Sequence, residues 1–238
     1  MKADEQASTV RFDLGRRHRI GLAEAILADV KTSAQIAEAI RQSGDGGAPV
    51  LVTRLSQAQF SALPEEQRAG LNYDPVSRTA LSASIAAVPE VADIAVVTGG
   101  TGDVAVAREV ARTLVFHGVA SHEIIDVGVA GLWRLMEHRE MITKMPVIIV
   151  CAGMEGALFS VVGGLAGGVV IAVPTSNGYG VAEGGGVALN SALASCAPGI
   201  AVCNIDNGYG AACLALRVLG MQKRQGWVAL SPSTGSWE

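Results

Sequence analysis

Residues 146–220 carry four charged side chains, Glu155, Glu183, Asp206 and Arg217, and none lies between Glu155 and Glu183. A carboxylate in so apolar a stretch is expected to be desolvated. Its pKa then rises, and it can act as a general acid or base near neutral pH. The competing reading is a turn or cap carboxylate bonded to backbone N–H groups. Glu183, within Ala182-Glu183-Gly184-Gly185, fits that second reading. Glu155, in the turn Ala152-Gly153-Met154-Glu155-Gly156, fits the first.

A thiol is the other candidate for chemistry. The cysteines stand at Cys151, Cys196, Cys203 and Cys213, with no CxxC pair. That spacing excludes a zinc ribbon and a thioredoxin-type redox site. Cys151 and Cys203 lie on or at the end of apolar strand patterns, and Cys213 lies beside Ala and Leu on a helical one, so all three read as core. Cys196, in Ser195-Cys196-Ala197-Pro198-Gly199, falls on a loop, where a thiol can be accessible and reactive. His18, His117, His122 and His138 show no metal-ligand spacing.

Glycine-rich turns supply candidate anion sites. Thr98-Gly99-Gly100-Thr101-Gly102-Asp103 lies between a strand pattern and a helix pattern, where backbone N–H groups and the helix dipole can meet an anion. Asp103 would then hold a sugar hydroxyl, or be a plain N-cap on a tight turn. GxGxxG is not satisfied, so this is not a Rossmann fingerprint. Two near-copies, Asn177-Gly178-Tyr179-Gly180 and Asn207-Gly208-Tyr209-Gly210, also follow predicted strands. They suit a phosphate or carboxylate with a stacking ring, or a turn imposed by close packing. Near the start, Asp13, Arg16 and Arg19 recur at a spacing that shares one helical face. Arg16 and Arg19 could take an anion there, or form a solvated salt-bridge ladder.

The elements that must position these residues follow from periodicity. Val91–Val97, Glu123–Val127, Pro146–Cys151, Val169–Pro174 and Ile200–Ile205 read as strands. The helical patterns between and after them follow Asp103 to Gly118, cover Leu132–Lys144, run through Val161 and Val162, and cover Ala182–Ser195 and Gly210–Leu219. Strand and helix in alternation predict a flavodoxin-like, doubly wound, five-stranded parallel sheet over residues 91–220. Residues 1–90 predict a small α+β unit, with a helix over Ala34–Gln42, a strand over Val50–Thr53 and a helix over Ser56–Ala62. Residues 221–238 show no periodicity and read as a loose tail.

Composition bounds the function classes. Eighteen Lys plus Arg against 22 Asp plus Glu give a net charge of −4. That argues against a general nucleic-acid binder. The charge-free stretch is long enough to span a membrane, but Gly163-Gly164, Gly167-Gly168 and Pro174 interrupt it. Strands buried on both faces of a parallel sheet give the same hydropathy. The opening Met1-Lys2-Ala3-Asp4-Glu5 has no apolar run, which predicts no signal peptide and a cytoplasmic protein.

Taken together, these residues resemble the LarB family, the carboxylase/hydrolase of nickel-pincer-nucleotide cofactor synthesis. The resemblance rests on Asp13-x-x-Arg16-x-x-Arg19-x-Gly21, Lys31-Thr32, Thr53-Arg54, Thr98-Gly99-Gly100-Thr101-x-Asp103 and Asp126-Val127-Gly128-Val129-Ala130-Gly131. It continues through Ala152-Gly153-Met154-Glu155-Gly156-Ala157-Leu158, Val173-Pro174-Thr175-Ser176, Ser195-Cys196-Ala197-Pro198-Gly199 and Asn204-Ile205-Asp206-Asn207-Gly208. The last part of the chain also resembles the octameric PurE aminoimidazole ribonucleotide carboxylase domain. Ala23, Val30, Gly102, Trp133 and Phe159 stand where the LarB pattern usually has Pro, Gly, Ser, His and Pro.

The resemblance implies a synthase acting on nicotinic acid adenine dinucleotide. It would carboxylate C5 of the pyridinium ring from CO2 or bicarbonate and cleave the phosphoanhydride, giving AMP and pyridinium-3,5-biscarboxylic acid mononucleotide. It implies Cys196 as the thiol and Glu155 as the base. Gly99, Gly100, Thr101, Asp103, Gly128, Gly153, Met154, Ser176, Asn207, Gly208, Arg16 and Arg19 would bind substrate. Mg²⁺ would assist, with Asp103 and Asp206 either as its ligands or as partners of a ribose, in a homo-oligomer such as a PurE-like octamer. A crossover helix over Ala182–Ser195 would put Cys196 at the amino edge of the sheet, away from this site. Either that helix ends early or Cys196 serves a neighbouring protomer. The alternatives are a PurE-type carboxylase or mutase and a non-catalytic nucleotide-binding regulator. Against the first, the Gly-x-x-His-x-Pro-Gly turn of the mutase is replaced by Gly153-Met154-Glu155-Gly156-Ala157-Leu158-Phe159. The regulator would have no use for a reactive thiol.

Overall fold

The computed structural model describes residues 9–82 and 88–225. The chain divides into two compact units, Met1–Pro89 with Arg112–Val119, and Glu90–Ala111 with Ala120–Glu238. The first contains helix α1 (Arg16–Ile20), strand β1 (Ile26–Leu27), helix α2 (Ser33–Asp45), strand β2 (Leu51–Thr53), helices α3 (Gln57–Ser61) and α4 (Glu65–Ala69), and strands β3 (Leu71–Asp74) and β4 (Thr79–Ser82). Its sheet runs β1-β2-β4-β3, with β1 parallel to β2 and the other pairs antiparallel. Thr32 and Ser56 start α2 and α3 through capping boxes closed by Gln35 and Gln59. Ile26, Ile36, Val52, Leu55 and Ala80 fill the space beneath the sheet. Two of the predicted helices are therefore present. Strands β1, β3 and β4 and helix α4, each at most five residues long, were not predicted.

The second unit is built on strands β5 (Ile94–Thr98), β6 (His122–Ile124), β7 (Val147–Ala152), β8 (Val169–Pro174) and β9 (Ala201–Val202). All pairs are parallel, in the order β6-β5-β7-β8-β9. This is the flavodoxin-like order, with the direction of winding reversing between β5 and β7. Every residue of β5 and β7 is buried, as is all of β8 after Val169. Both faces of these strands are covered, so their sequences read as unbroken apolar runs. The edge strands β6 and β9 are shorter than predicted, at three and two residues.

The helices are α5 (Val104–Phe116), α6 (Leu132–Glu137), α7 (Arg139–Lys144), α8 (Ala157–Leu165), α9 (Gly186–Leu193) and α10 (Gly208–Gln225). Ile148, Val150, Leu135, Phe159 and Val162 pack into one core between sheet and helices. The single helix expected over Leu132–Lys144 breaks at His138, whose φ of −99° and ψ of 4° leave the helical range. The helix expected from Ala182 begins only at Gly186. Gly184 and Gly185 hold φ of 73° and 80°, a conformation that ends right-handed helix. Residues 221–225, expected in the loose tail, continue α10, since Met221, Gln222, Lys223, Arg224 and Gln225 are all strong helix formers. Residues 226–238 of that expected tail lie outside the described residues. The charge-free stretch resolves into α8 and β8, and among the described residues no helix is long and apolar enough to cross a membrane.

His117 supplies a pH handle on the first unit. It sits beside Arg17, Pro49 and Phe116, and its Nε2 finds no hydrogen-bond partner. Burial, with Arg17 adding repulsion, lowers its pKa from 6.5 to about 4. Between those values the unfolded chain binds a proton that the folded chain refuses, so stability falls as pH drops from 6.5 toward 4. His117→Phe is expected to flatten this slope, as measured by urea unfolding at pH 7 and pH 5.

Candidate active site

The carboxyl ends of β5, β6, β7 and β8 surround a cleft of about 490 Å³. This lies within the range of small-molecule sites and at the switch point of the sheet. Gly99, Gly100, Gly102 and Asp103 line it from the β5 turn, and Gly128, Val129 and Ala130 from the β6 turn. Gly153, Met154, Glu155 and Leu158 come from the β7 turn and α8, and Asn177, Gly178 and Tyr179 from the β8 turn. Arg134, on α6, is its cation.

Asp103 ties these turns together. It is 5% exposed. Its Oδ2 accepts the Gly100 N–H at 2.9 Å, and its Oδ1 accepts the Thr175 hydroxyl at 2.6 Å and the Asn177 amide at 3.2 Å. Asn177 Nδ2 also donates to the Gly102 carbonyl at 2.8 Å. The β5 and β8 turns are thus clasped across β7. The remaining turns are joined in the same way. Thr98 Oγ1 accepts the Asp126 N–H, the Asn177 carbonyl accepts the Met154 N–H, and Asp206 Oδ1 accepts the Ser176 N–H.

Two glycines owe their identity to these contacts. A Cβ on Gly128 would come within 2.5 Å of the Gly99 carbonyl oxygen, and one on Gly153 would overlap the carbonyl of Asn177. Asp126, Met154 and Asp206, each in the turn after a strand, hold φ of 62°, 54° and 53°. A left-handed non-glycine residue costs of order 1–3 kcal/mol, and such strain clusters at functional sites.

The charged groups divide sharply. Arg134 is ion-paired with Asp126, which fixes the guanidinium at the cleft wall. Glu155 lines the cleft and is exposed. The desolvation expected for it is absent, because its apolar sequence neighbours form β7 and α8 behind the turn while the side chain stays in solvent. Glu183 is exposed on the turn before α9. Cys151, at the end of β7, is fully buried. Burial holds its thiol far toward the protonated form, and the Asp103 and Glu109 carboxylates push the same way. Burial followed by the neighbouring Cys213 raises the Cys203 thiol as well.

Cys196 is exposed but does not line the cleft. It follows α9 and precedes β9, on the amino side of the sheet. Its loop packs on α8: Ser195 Oγ lies 2.7 Å from Ser160 Oγ, and a Cβ on Gly163 would meet Ala197 at 2.9 Å. The helix before it does not end early enough to bring it round.

Of the expected binding residues, Gly99, Gly100, Asp103, Gly128, Gly153 and Met154 line the cleft. Thr101 is exposed on the same turn without lining it, and Ser176 is engaged through its backbone to Asp206. Asn207 caps α10, its Oδ1 accepting the Gly210 N–H, and Gly208 packs against the Val106 carbonyl. The two Asn-Gly-Tyr-Gly turns therefore do different work. Arg19 folds back on Asp13 with bonds of 2.8 and 2.6 Å, and this pairing lowers the Asp13 carboxyl below its usual value. Asp13 precedes α1, so the expected three-residue helical face with Arg16 does not form. Arg16 and Arg19 belong to the first unit.

Arg134 was missed, although its place just past Gly128–Gly131 was a usable signal. Of the two residues expected to hold magnesium, Asp103 has both oxygens engaged by protein donors and Asp206 Oδ1 accepts the Ser176 N–H, and among the described residues no three His, Cys, Asp or Glu side chains gather for a metal ion.

Residues 93–234 match the AIR carboxylase family model, and residues 4–84 match the LarB/PurE-like N-terminal domain. The chain belongs to the LarB/PurE-like carboxylase family. The order of the two domains is the LarB architecture, and membership brings a carboxylase-type function. An uncharacterised protein of Methanocaldococcus jannaschii is 34% identical over 221 residues, covering 89% of this chain and 84% of that protein.

The clasp and the exposed acid are separable by stability. Asp103→Ala orphans three donors and should destabilise by about 3 kcal/mol or more. Glu155→Ala should stay within about 0.5 kcal/mol. Urea unfolding of the two variants side by side measures the contrast.

Proposed function

We propose that the protein carboxylates C5 of the pyridinium ring of nicotinic acid adenine dinucleotide and hydrolyses the phosphoanhydride, releasing AMP and pyridinium-3,5-biscarboxylic acid mononucleotide. The observation that carries this reading is a preformed switch-point cleft presenting Arg134 and Glu155, in a chain with the LarB domain order.

A pyridinium ring is electron-poor and cannot attack CO2. A thiolate adding to a ring carbon breaks the aromaticity and leaves an enamine-like C5 that can. The C5–carboxyl bond forms, a base removes the C5 proton, and the C–S bond breaks to restore the ring and the thiolate. Glu155 is the base on this scheme. Arg134 would pair with the ring carboxylate or a phosphate, as a guanidinium fork suits either. Carbon dioxide or bicarbonate supplies the new carboxyl. No step is assigned to magnesium.

The thiol is that of Cys196, contributed by a second copy of the chain. Two observations support this. Cys196 is exposed, while Cys151, at the end of β7, is buried and its thiol is pushed toward the protonated form. Trp133 and Tyr179, 66% and 77% exposed, lie on the elements that form the cleft, and Val181 and Leu193 are exposed in the same unit. Exposed apolar groups of this kind are what a further copy of the chain would cover.

With nicotinic acid adenine dinucleotide, bicarbonate and Mg²⁺, mass spectrometry should find AMP and a mononucleotide heavier by one carboxyl. Cys196→Ser should abolish the carboxylated product. Cys196→Ser and Glu155→Gln proteins, each inactive alone, should regain activity when dissociated and reassembled together. Absence of the carboxyl gain rejects the reaction, and absence of complementation rejects the shared site. Turnover of aminoimidazole ribonucleotide instead would select the simpler PurE-type activity.

A further inference from the structure

Lys31-Thr32 and Thr53-Arg54 stand out in the sequence, yet neither lines the cleft. They lie at one end of the four-stranded sheet of the first unit. In the parallel pair, Leu27 is opposite Thr53, so the loop Ala28–Lys31 and Arg54 leave the sheet together. In the antiparallel pair, Leu51 is opposite Leu81 and Val52 opposite Ala80. Continuing that register sets Arg54 opposite Arg78, and the Leu55 N–H donates to the Arg78 carbonyl at 2.7 Å.

Like charges opposite each other across a strand pair repel. Both arginines also hold left-handed backbone, with φ of 55° and 54°. Side chains rarely adopt this region, and an outlier of this sort points to function. The Asp29 carboxylate stands against both, 3.4 Å from Arg78 Nη2 and 3.8 Å from Arg54 Nη1. Each distance exceeds the ~2.7–2.9 Å of a charge-assisted hydrogen bond. Lys31 adds a cation two residues along the same loop.

The group is accessible and its backbone is pinned. The Arg54, Asp29 and Arg78 side chains are 35%, 46% and 47% exposed. Gln59 Nε2 donates to the carbonyls of Ala28 and Lys31 at 2.8 and 2.9 Å, the Ala28 N–H donates to the Thr53 carbonyl at 2.9 Å, and Arg78 Nη2 donates to the Arg54 carbonyl at 2.9 Å. Two guanidinium groups therefore meet one carboxylate on a fixed frame, in a chain of net charge −4.

We propose that Arg54 and Arg78 form an anion site on the N-terminal unit that takes a phosphate or pyrophosphate group, with Asp29 as the internal counter-ion that the ligand displaces. Guanidinium forks match the oxygens of a phosphate two at a time. The inference stands on this geometry and not on the carboxylase reading.

The test is calorimetric titration of inorganic pyrophosphate into the full-length protein carrying Arg134→Gln, which removes the cleft's own cation. Arg54→Gln and Arg78→Gln should each weaken binding at least tenfold. Asp29→Asn should tighten it several-fold, a change of sign that misfolding cannot imitate. Arg41→Gln, at an exposed arginine paired with Glu38 and Asp45, should change nothing. No binding, equal binding in the Arg54 and Arg78 variants, or weaker binding in Asp29→Asn would each overturn the site. In otherwise unaltered protein, a raised KM for the dinucleotide in Arg78→Gln, with kcat kept, would identify the phosphate as the substrate's own. An unchanged KM beside lost pyrophosphate binding would identify a free phosphate ligand.

Discussion

A buried carboxylate with both oxygens committed to protein donors organises the catalytic face of this fold. Asp103 takes the Gly100 N–H from its own turn and the Thr175 hydroxyl and Asn177 amide from the turn after β8. A charge taken out of water is tolerated only when such bonds replace its hydration. The consequence is mechanical. Two turns that flank β7 are held together, and the space between them is the cleft. A surface carboxylate could not do this, because water would compete for every one of these bonds.

Around that clasp, strain and close approach share the work of pre-organisation. Asp126, Met154 and Asp206 each hold left-handed backbone, and each is locked by a hydrogen bond to a neighbouring turn. Gly128 and Gly153 allow the turns to touch through backbone. Gly128 and Gly153, which the resemblance places among the substrate-binding residues, are therefore required by turn-to-turn packing, and binding would be a second use of the same geometry. Arg134 follows this logic. Its ion pair is to Asp126, so a strained turn residue aims the cation of the cleft.

What the sequence revealed and what it concealed have one physical origin. β5, β7 and β8 are buried on both faces, so each stands out as an apolar run, and the parallel sheet follows. β1, β6 and β9 are two or three residues long at sheet edges, where little apolar surface needs covering, and periodicity over so few residues is weak. Glu155 shows the converse limit. Apolar neighbours in sequence do not imply burial when they belong to the strand and helix on either side of an exposed turn. Arg134 was overlooked because an arginine on a short helix is ordinary by pattern, and its place just past Gly128–Gly131 gains weight once its pairing with Asp126 is seen.

The placement of sulfur constrains how such a site can act. A second thiol, Cys151, stands at the end of β7, but full burial and two nearby carboxylates oppose the thiolate. Making it ionise would require opening the core that holds β7 in place. The exposed thiol, Cys196, lies beyond α9, and its loop is fixed against α8 by Ser195, Ser160 and the missing side chain of Gly163. Carrying that loop to the carboxyl edge within one subunit would mean unwinding α9 and breaking those contacts. The association proposed above would need no such unwinding. A second chain would present its amino-edge loop to the first chain's cleft, and the exposed Trp133, Tyr179 and Val181 would lose their contact with water. On the reaction proposed above, the same rigidity that shapes the cleft argues against an internal nucleophile and for one supplied by a second chain.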